Sequence, residues 1–391
     1  MATSPEILVE IPSPENPNAL GRWWWRALVG VALIAGLVII VKVTEPRFPP
    51  IEWAEQAGPP GSINLDSLVA TSDGFAVLSG MTAEGVLLWS STDGSAWVSQ
   101  PLQDAPSQLA SHDDGLIAHS VRRGRVLEPS EDGWVETQET VVFPEEVRSR
   151  QGSGRPSLIA TEEGLLAMSL FGDVWWSEDL EGFDTVVSDP DWGPGVELPF
   201  TSECRPPIRT SPDVPPVVST DSGFVAMISS NPAEPFGIWP VCEPRVWLSD
   251  DGQNWVESDT DPALGDGAYV FNLAWRDGIF TAVGGVGIGQ PSAWTSTDGQ
   301  RWEPISFFSD LEDVDLFTVE AGPAGWVMLG QGSDETTTAG WTSLDGQCWS
   351  TIPLNISGID TAITSEHILI IDRSSYPEIW QGTMTGGTGS C

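Results

Sequence analysis

The sequence predicts an all-β chain, a seven-bladed β-propeller that is closed by an N-terminal strand and preceded by one transmembrane helix. Three observations lead to this prediction. A nine-residue motif recurs along the chain, short apolar runs that follow turns recur seven times, and one uninterrupted apolar segment lies near the N-terminus. A long pattern that repeats in this way indicates stacked copies of one supersecondary unit.

The motif Trp-x-Ser-x-Asp-Gly-x-x-Trp occurs four times, and we call each copy a box. Asp-Gly is typical of a hairpin turn, because glycine accepts positive φ and the carboxylate accepts hydrogen bonds from turn amides. The serine can bond into the same turn, and the two tryptophans are expected to pack between blades. The residues with a structural role are Ser91, Asp93, Gly94, Trp97, Ser249, Asp251, Gly252, Trp255, Ser296, Asp298, Gly299, Trp302, Ser343, Asp345, Gly346 and Trp349.

Apolar runs such as 74–78 and 278–283 precede the boxes, and each has a further short strand ahead of it. The repeating unit is therefore a blade of four strands, A to D, about 40 to 50 residues long. Seven A–B pairs can be counted, but the last blade ends after its strand C. Because an open ring leaves a strand edge unpaired, we expect residues 51–56 to supply the missing strand D of a propeller that spans 51–391.

The boxes resemble the Asp-box, or bacterial neuraminidase repeat, whose usual form is Ser-x-Asp-x-Gly-x-Thr-Trp. Here the glycine follows the aspartate directly, one residue closer than in that pattern. The resemblance is to a superfamily that includes sialidases and sortilin-type receptors. It implies that the box is a folding device on the C–D turn, away from any active site, and it identifies this chain as a non-catalytic member.

The apolar segment 27–41 follows a tryptophan cluster and predicts a transmembrane anchor at residues 23–43. We expect a short cytoplasmic tail at 1–22 and a stem at 44–50. A cleaved signal peptide and a buried core helix are the alternatives, but no small-x-small cleavage site follows Lys42. The predicted location is the cell membrane, single-pass, with the N-terminus cytoplasmic and the propeller extracytoplasmic.

The net charge of −40 lies entirely in residues 51–391, because the charges of residues 1–50 balance. Such an acidic body repels nucleic acid, so no nucleic-acid partner is expected. The expected partners are the membrane, through residues 23–43, and an unknown protein or glycan.

Propeller geometry sorts the loops into two faces. We call the face with the A–B and C–D turns the box face and the face with the B–C and D–A loops the loop face. The longest insertions and most arginines map to the loop face of blades 2 to 4, and long loops on a rigid scaffold commonly carry function. Nearby glutamates leave open that the arginines only neutralise acids. The predicted ligand-binding residues are Arg122, Arg123, Arg148, Arg150, Arg155, Arg205, Arg209, Trp192 and Trp239.

The four cysteines allow three pairings, of which the predicted geometry favours Cys204–Cys242 and Cys348–Cys391. No metal site and no cofactor is expected, because the histidines are scattered and no Cys/His spacing typical of a metal site exists.

The predicted function is a membrane-anchored binding or scaffolding module with an unknown ligand. The alternative is a sialidase-like glycoside hydrolase that acts on acidic sugars. The family's Arg-Ile-Pro signature is absent, and only Tyr269 and Tyr376 are available as tyrosine nucleophile. A catalytic function is therefore less favoured than a binding or scaffolding function.

Overall fold

Seven antiparallel sheets of four strands make up the described part of the chain. The computed structural model describes residues 51–59, 65–80, 85–103, 105–112, 115–120, 123–130, 133–143, 157–161, 164–168, 174–180, 183–185, 216–230, 243–259, 262–265, 267–286, 290–305, 314–332, 338–352, 359–372 and 378–384. All of these residues belong to one compact unit, residues 50–386.

Six sheets consist of four strands that follow one another in the chain, after a first strand β1 (Ile51–Gln56) that belongs to the seventh. The first three are blade 1 with β2 (Leu65–Thr71), β3 (Gly74–Ser79), β4 (Val86–Ser91) and β5 (Val98–Leu102), blade 2 with β6 (Gln108–His112), β7 (Gly115–His119), β8 (Arg123–Ser130) and β9 (Gly133–Val142), and blade 3 with β10 (Ser157–Thr161), β11 (Gly164–Met168), β12 (Val174–Ser177) and β13 (Asp184–Thr185).

The remaining strands form four further sheets in the same A to D order, except that the last takes its outer strand from the N-terminus. They are blade 4 with β14 (Val217–Thr220), β15 (Gly223–Ser230), β16 (Glu243–Ser249) and β17 (Val256–Glu257), blade 5 with β18 (Ala268–Arg276), β19 (Ile279–Val286), β20 (Gln290–Ser296) and β21 (Glu303–Pro304), blade 6 with β22 (Val314–Gly322), β23 (Gly325–Gly332), β24 (Thr338–Ser343) and β25 (Trp349–Ile352), and blade 7 with β26 (Ile359–Ile363), β27 (His367–Asp372), β28 (Ile379–Met384) and β1.

The first strands of neighbouring blades contact one another all the way round, from β2 through β6, β10, β14, β18, β22 and β26 back to β2. A set of sheets whose inner strands meet in a cycle is a ring around an axis. The predicted seven-bladed β-propeller is therefore confirmed as the fold of the described residues.

The apolar core is divided among the spaces between blades rather than gathered at one centre. Each of seven clusters of buried side chains draws on two neighbouring blades. One of them joins Leu65, Phe75 and Val77 of blade 1 to Leu369 and Ile371 of blade 7. Side-chain packing thus closes the ring as the contacts between inner strands do, because the last blade packs on the first in the same way that each blade packs on the next.

The box tryptophans belong to these inter-blade clusters. Trp255 joins the cluster of blades 3 and 4, and Trp302 joins that of blades 4 and 5; both are almost fully buried. Trp97 is only partly buried against the cluster of blades 7 and 1. The tryptophans therefore pack between blades as expected, with Trp97 contributing less buried area than the equivalent residue of blade 4 or 5.

Strand β1 forms the outer edge of blade 7, where its six residues pair antiparallel with β28 from Ile51↔Met384 to Gln56↔Ile379. Ile51 and Trp53 pack against the cluster between blades 6 and 7. Since β28 ends at Met384, where a strand C passes into its box in other blades, β1 begins on the box face.

A chain of hydrogen bonds links β1 to blades 7 and 1. The side-chain amide of Gln56 donates to Gln381 Oε1 at 2.8 Å. Gln381 in turn donates to the backbone carbonyl of Asp93, in the first box, and contacts His367 Nδ1 at 3.2 Å. Because Gln381 is buried, these protein groups supply the hydrogen bonds that its amide would otherwise make to water.

The predicted tail, anchor and stem at residues 1–50 lie outside the described residues. Within the described ranges, no helix is long and apolar enough to cross a lipid bilayer. The anchor at residues 23–43 therefore stays a prediction.

Candidate functional site

Each of the four boxes forms a turn whose polar groups hydrogen-bond to one another. In each box the serine Oγ donates to Oδ1 of the aspartate, at distances of 3.1 to 3.4 Å. The same Oδ1 accepts the amide N–H two residues beyond the aspartate, at 2.8 to 2.9 Å. The second tryptophan donates from Nε1 to the glycine carbonyl at 3.0 to 3.1 Å.

Glycine is required in the box for two reasons, which Gly252 illustrates. Its φ of +71° lies in the left-handed region, which costs other residues about 1–2 kcal/mol. A Cβ at this position would also lie 2.7 Å from the ring of Trp176, in the preceding blade. The box turn of blade 4 therefore packs directly against blade 3, and a residue larger than glycine at position 252 would clash with Trp176.

The turn hydrogen bonds hold box carboxylates in the charged form. Backbone and side-chain hydrogen bonds from Ser95 are the main reason why the pKa of Asp93 is lowered. At Asp251 and Asp298 burial acts in the opposite direction, but hydrogen bonds from the turn prevail and lower the pKa. A carboxylate that is ionised and already bonded to its own turn is poorly suited to act as a general acid.

Of the predicted ligand-binding residues, only Arg123 lies among the described residues, where it is exposed at the start of β8. The others lie outside the described residues, and so the predicted site stays a prediction: Arg122, Arg148, Arg150, Arg155, Arg205, Arg209, Trp192 and Trp239.

A shallow groove on the loop face of blades 1 and 2 contains Arg123. Leu102, Pro106 and Leu127 supply apolar lining, and Arg125 and Glu136 add charge. Arg125 Nε lies 3.0 Å from Glu136 Oε1, with both side chains about a quarter exposed, at 27% and 25%. The groove thus contains an exposed arginine beside an arginine–glutamate pair.

Two other described arginines also pair with acids. Arg245 bonds to Glu257 across blade 4, and Arg276 Nε lies 3.0 Å from Asp277 Oδ2 on the box face. Together with Arg125, these pairs agree with the interpretation that part of the arginine set neutralises nearby carboxylates. Exposed pairs of this kind contribute little to stability.

The inner strands of the ring carry titratable residues whose surroundings the sequence did not reveal. Tyr269 on β18 is buried, and its pKa is raised to about 12 by burial and by the charge of Asp315 on β22. Burial also raises the pKa of Asp315 itself. On the same strand, Glu320 has a pKa well above its usual value, first because of burial and second because of Asp360 on β26. The signal available in the sequence was an acidic residue in three of the seven inner strands, β2, β22 and β26.

Cys348 is disulfide-bonded. Cys204, Cys242 and Cys391 lie outside the described residues, so the predicted pairings Cys204–Cys242 and Cys348–Cys391 are not resolved by the described part of the chain. Within that part, no cluster of three or more His, Cys, Asp or Glu residues that could hold a metal ion occurs.

Asp251→Ala is expected to destabilise the protein by about 1 kcal/mol near pH 7, because the amides of Gln253 and Asn254 lose their shared acceptor. The effect should disappear at acid pH. The Asp251 carboxylate of the unfolded chain takes up its proton at about pH 3.9, whereas that of the folded chain does so at lower pH because its pKa is lowered. The stabilisation is therefore lost as the pH falls through this range. Urea unfolding at several pH values measures it.

The neighbouring Asp250→Ala is the matched control, because Asp250 is exposed and its substitution removes the same charge as Asp251→Ala. Its effect should stay within about 0.5 kcal/mol. Equal losses for the two variants would show that charge, and not the turn, is responsible.

Comparison with known proteins gives the fold and not a family. No family model and no curated protein matches the chain. Among solved structures, the GH74 xyloglucanase from Xanthomonas campestris matches with a TM-score of 0.51 and 14% identity over 86% of this chain and 53% of the xyloglucanase, so this chain spans about half of that enzyme. BBS1N, solved in complex with ARL6DN, matches with a TM-score of 0.51 and 11% identity over 86% of this chain and 98% of BBS1N.

The WD40 repeats of RRP9 match with a TM-score of 0.50 and 10% identity over 87% of this chain and 100% of RRP9. At such identities the likeness concerns architecture alone, because one fold hosts many functions. The chain is a β-propeller whose activity must be argued from its own residues.

Proposed function

We propose that the chain is a membrane-anchored, extracytoplasmic β-propeller that acts as a binding or scaffolding module for an unknown protein or glycan. The observation that carries the proposal is that the four box turns satisfy their own hydrogen bonds and pack against neighbouring blades. The box face then has a framework role, as the Asp-box resemblance implies. Ligand binding is left to the loop face.

One feature supports an extracytoplasmic location, and two others concern how the propeller is proposed to lie relative to the membrane. The disulfide at Cys348 suits an oxidising compartment. The strong negative charge suits a soluble domain that does not bind anionic lipid. Strand β1 begins on the box face, directly after the sequence of the predicted stem, so the loop face is proposed to point away from the membrane.

The proposed ligand site comprises the exposed Arg123 and the predicted arginines of the loop insertions. Guanidinium groups bind carboxylates and phosphates through paired hydrogen bonds, so acidic groups on a protein or glycan are the proposed target. Arg125 and Arg245 are not included, because each is already paired with a glutamate.

A ligand found for the full-length chain on arrays of acidic glycans, or among envelope proteins, should bind at least tenfold more weakly to Arg148→Ala/Arg150→Ala. The control is Arg276→Ala/Arg301→Ala, which changes the net charge equally but lies on the box face. Surface plasmon resonance measures both. Equal losses in the two variants would contradict a site on the loop face.

The alternative function, a sialidase-like glycoside hydrolase, is opposed by the surroundings of Tyr269. A nucleophilic tyrosine needs a lowered pKa, whereas burial and Asp315 raise that of Tyr269 to about 12. Its ring also packs edge-on against Phe271, with 5.0 Å between the ring centroids.

We therefore expect no turnover of a fluorogenic sialoside by the full-length chain, and no difference between wild type and Tyr269→Phe. Turnover that Tyr269→Phe abolishes would reverse the ranking of the two functions.

We further propose that β1 is the clasp that closes the ring. Supporting this, Gly382 on β28 leaves room for two side chains of β1: a Cβ there would lie 2.8 Å from Ile51 Cγ2 and 2.9 Å from Trp53 Cη2. Gly382→Ala should displace β1 at a cost of about 1–3 kcal/mol.

Hydrogen exchange is the direct measurement for this clasp. The amides of 51–56 should exchange about tenfold faster or more in Gly382→Ala, while those of β5, the outer strand of blade 1, keep their rates. Acceleration that is equal in both strands would point to general destabilisation and not to a loosened clasp.

A further inference from the structure

Six Asp–Gly pairs lie within the described residues, and four of them belong to the boxes. The box pairs are 93–94, 251–252, 298–299 and 345–346, and the other two, 73–74 and 277–278, lie in A–B turns. Asp–Gly is prone to rearrangement of the backbone, because glycine has no side chain that hinders attack by its nitrogen on the preceding aspartate. The surroundings of each pair decide whether this reaction can occur in the folded chain.

The rearrangement needs no reagent other than water. The glycine nitrogen bonds to the aspartate carboxyl carbon, and the carboxyl OH leaves with the amide proton as water, which gives a cyclic succinimide. Water then adds to the backbone carbonyl carbon of the aspartate, and the bond from that carbon to the glycine nitrogen breaks. The chain now continues through the side chain as isoaspartate, with its mass unchanged and its backbone longer by one methylene group.

The boxes withhold the glycine nitrogen from this reaction. The N–H of Gly299 is buried and donates to Ser296 Oγ at 2.9 Å. Gly94 and Gly346 make the same bond with the serines of their own boxes, at 2.8 and 2.9 Å. Because a buried, hydrogen-bonded N–H reacts with solvent species only when the turn opens, the nitrogen is seldom available for attack.

The box of blade 5 also fixes the carboxylate that would be attacked. Asp298 Oδ1 accepts the N–H groups of Gln300 and Arg301, both at 2.8 Å, and the hydroxyl of Ser296 at 3.1 Å. Closing the succinimide ring turns this carboxyl group into an imide and breaks these bonds. A Cβ at Gly299 would lie 3.2 Å from a side-chain carbon of Val225 in blade 4, so the turn has little room to distort.

The A–B turn of the same blade leaves its Asp–Gly pair open. Asp277 and Gly278 are both exposed, and the side chain of Asp277 is 82% accessible. Their φ values of +51° and +78° are typical of a two-residue hairpin loop. Apart from its chain neighbours, no described residue has an atom within 4 Å of the place of a Cβ on Gly278. The carboxylate contacts Arg276 Nε at 3.0 Å, and ion pairs with an exposed partner hold a side chain only weakly.

The A–B turn of blade 1 shows that exposure of the aspartate is not sufficient. Asp73 is exposed, but Gly74 is buried, and a Cβ there would clash with the carbonyl oxygen of Ser91. The glycine of this turn is packed against strand C of its own blade, unlike Gly278. Of the six described pairs, 277–278 therefore has the most freedom to cyclise.

We propose that Asp277–Gly278 is a site of isoaspartate formation in the folded protein, and that the box serines protect the Asp–Gly pairs of the boxes from the same reaction. An added methylene group at position 277 lengthens an exposed turn. The same change in a box would displace the glycine from the blade on which it packs. The serine thus has a chemical role besides its part in the turn, and this role is independent of the proposed binding function.

The test ages the full-length chain in neutral buffer at body temperature. Peptide mapping with electron-transfer mass spectrometry locates isoaspartate, which it distinguishes from aspartate of the same mass. Isoaspartate should form at least about tenfold faster at position 277 than at position 298, because folding protects only the second. In guanidinium chloride, where both pairs are unfolded, the two rates should agree within about threefold.

Ser296→Ala tests the role of the serine, because it removes the acceptor of the Gly299 N–H. The variant should form isoaspartate at position 298 at least about fivefold faster than wild type, while the rate at position 277 stays the same.

The matched control is Thr295→Ala, in the same strand. Thr295 Oγ1 donates to the carbonyl of Phe280 at 3.0 Å, so this variant loses a side-chain hydrogen bond but keeps the box. Its rate at position 298 should equal that of wild type. An equal increase in the two variants would overturn the protective role of the serine, because loss of stability alone would then explain it.

The wild-type chain keeps the proposal testable if Ser296→Ala fails to fold. Equal rates at positions 277 and 298 in the folded wild type overturn the proposal. So does an absence of isoaspartate at position 277 after a period in which the unfolded chain has rearranged there.

Discussion

The contact between a box turn and the blade before it is the constraint on which this structure depends. A propeller has no central core, so each blade must find its apolar partner in the next. The box provides this contact locally. Its polar groups hydrogen-bond within the turn, and its glycine, which has no side chain, packs directly against the neighbouring blade. Gly94 meets Leu369 of blade 7, and Gly299 meets Val225 of blade 4. The same unit recurs in blades 1, 4, 5 and 6, and in blade 1 it packs the first blade onto the last.

Hydrogen bonding and packing are coupled in that unit. The indole N–H of Trp302 donates to the carbonyl of Gly299, so the ring that fills the space between blades also fixes the turn that borders it. A buried indole without such a partner would lose hydrogen-bond energy. This coupling explains why a motif whose spacing departs from the Asp-box pattern still behaves as a folding element.

Much of the fold could be predicted from the sequence because its signals are local. Asp-Gly turns, the glycines ahead of apolar runs and the repeated tryptophans each act within a few residues, and they placed the strands of all seven blades. Blade 2 has no complete box, but its strands β8 and β9 still pair, and Ser130 Oγ donates to the carbonyl of Gly133 at 3.0 Å.

The acids at the axis could not be found in that way. Glu320 and Asp360 lie about forty residues apart, one blade length in the repeat, and each looks like an ordinary acid in a short strand. The effect of Asp360 on the pKa of Glu320 arises only when two inner strands meet around the axis. The loop-face arginines show the converse: their sequence clustering indicated a site, but Arg125 and Arg245 turn out to be paired with glutamates within their own blades.

The register of Ile51 with Met384 sets the order of events during synthesis. The first strand of the propeller to be synthesised pairs with the last, so the most distant segments of the propeller must meet before its seventh sheet is complete. Contacts of such large sequence separation form slowly. Until then the nascent chain has an unpaired strand at each end, and the interval between the two is a window in which chaperones or a neighbouring copy can bind either edge.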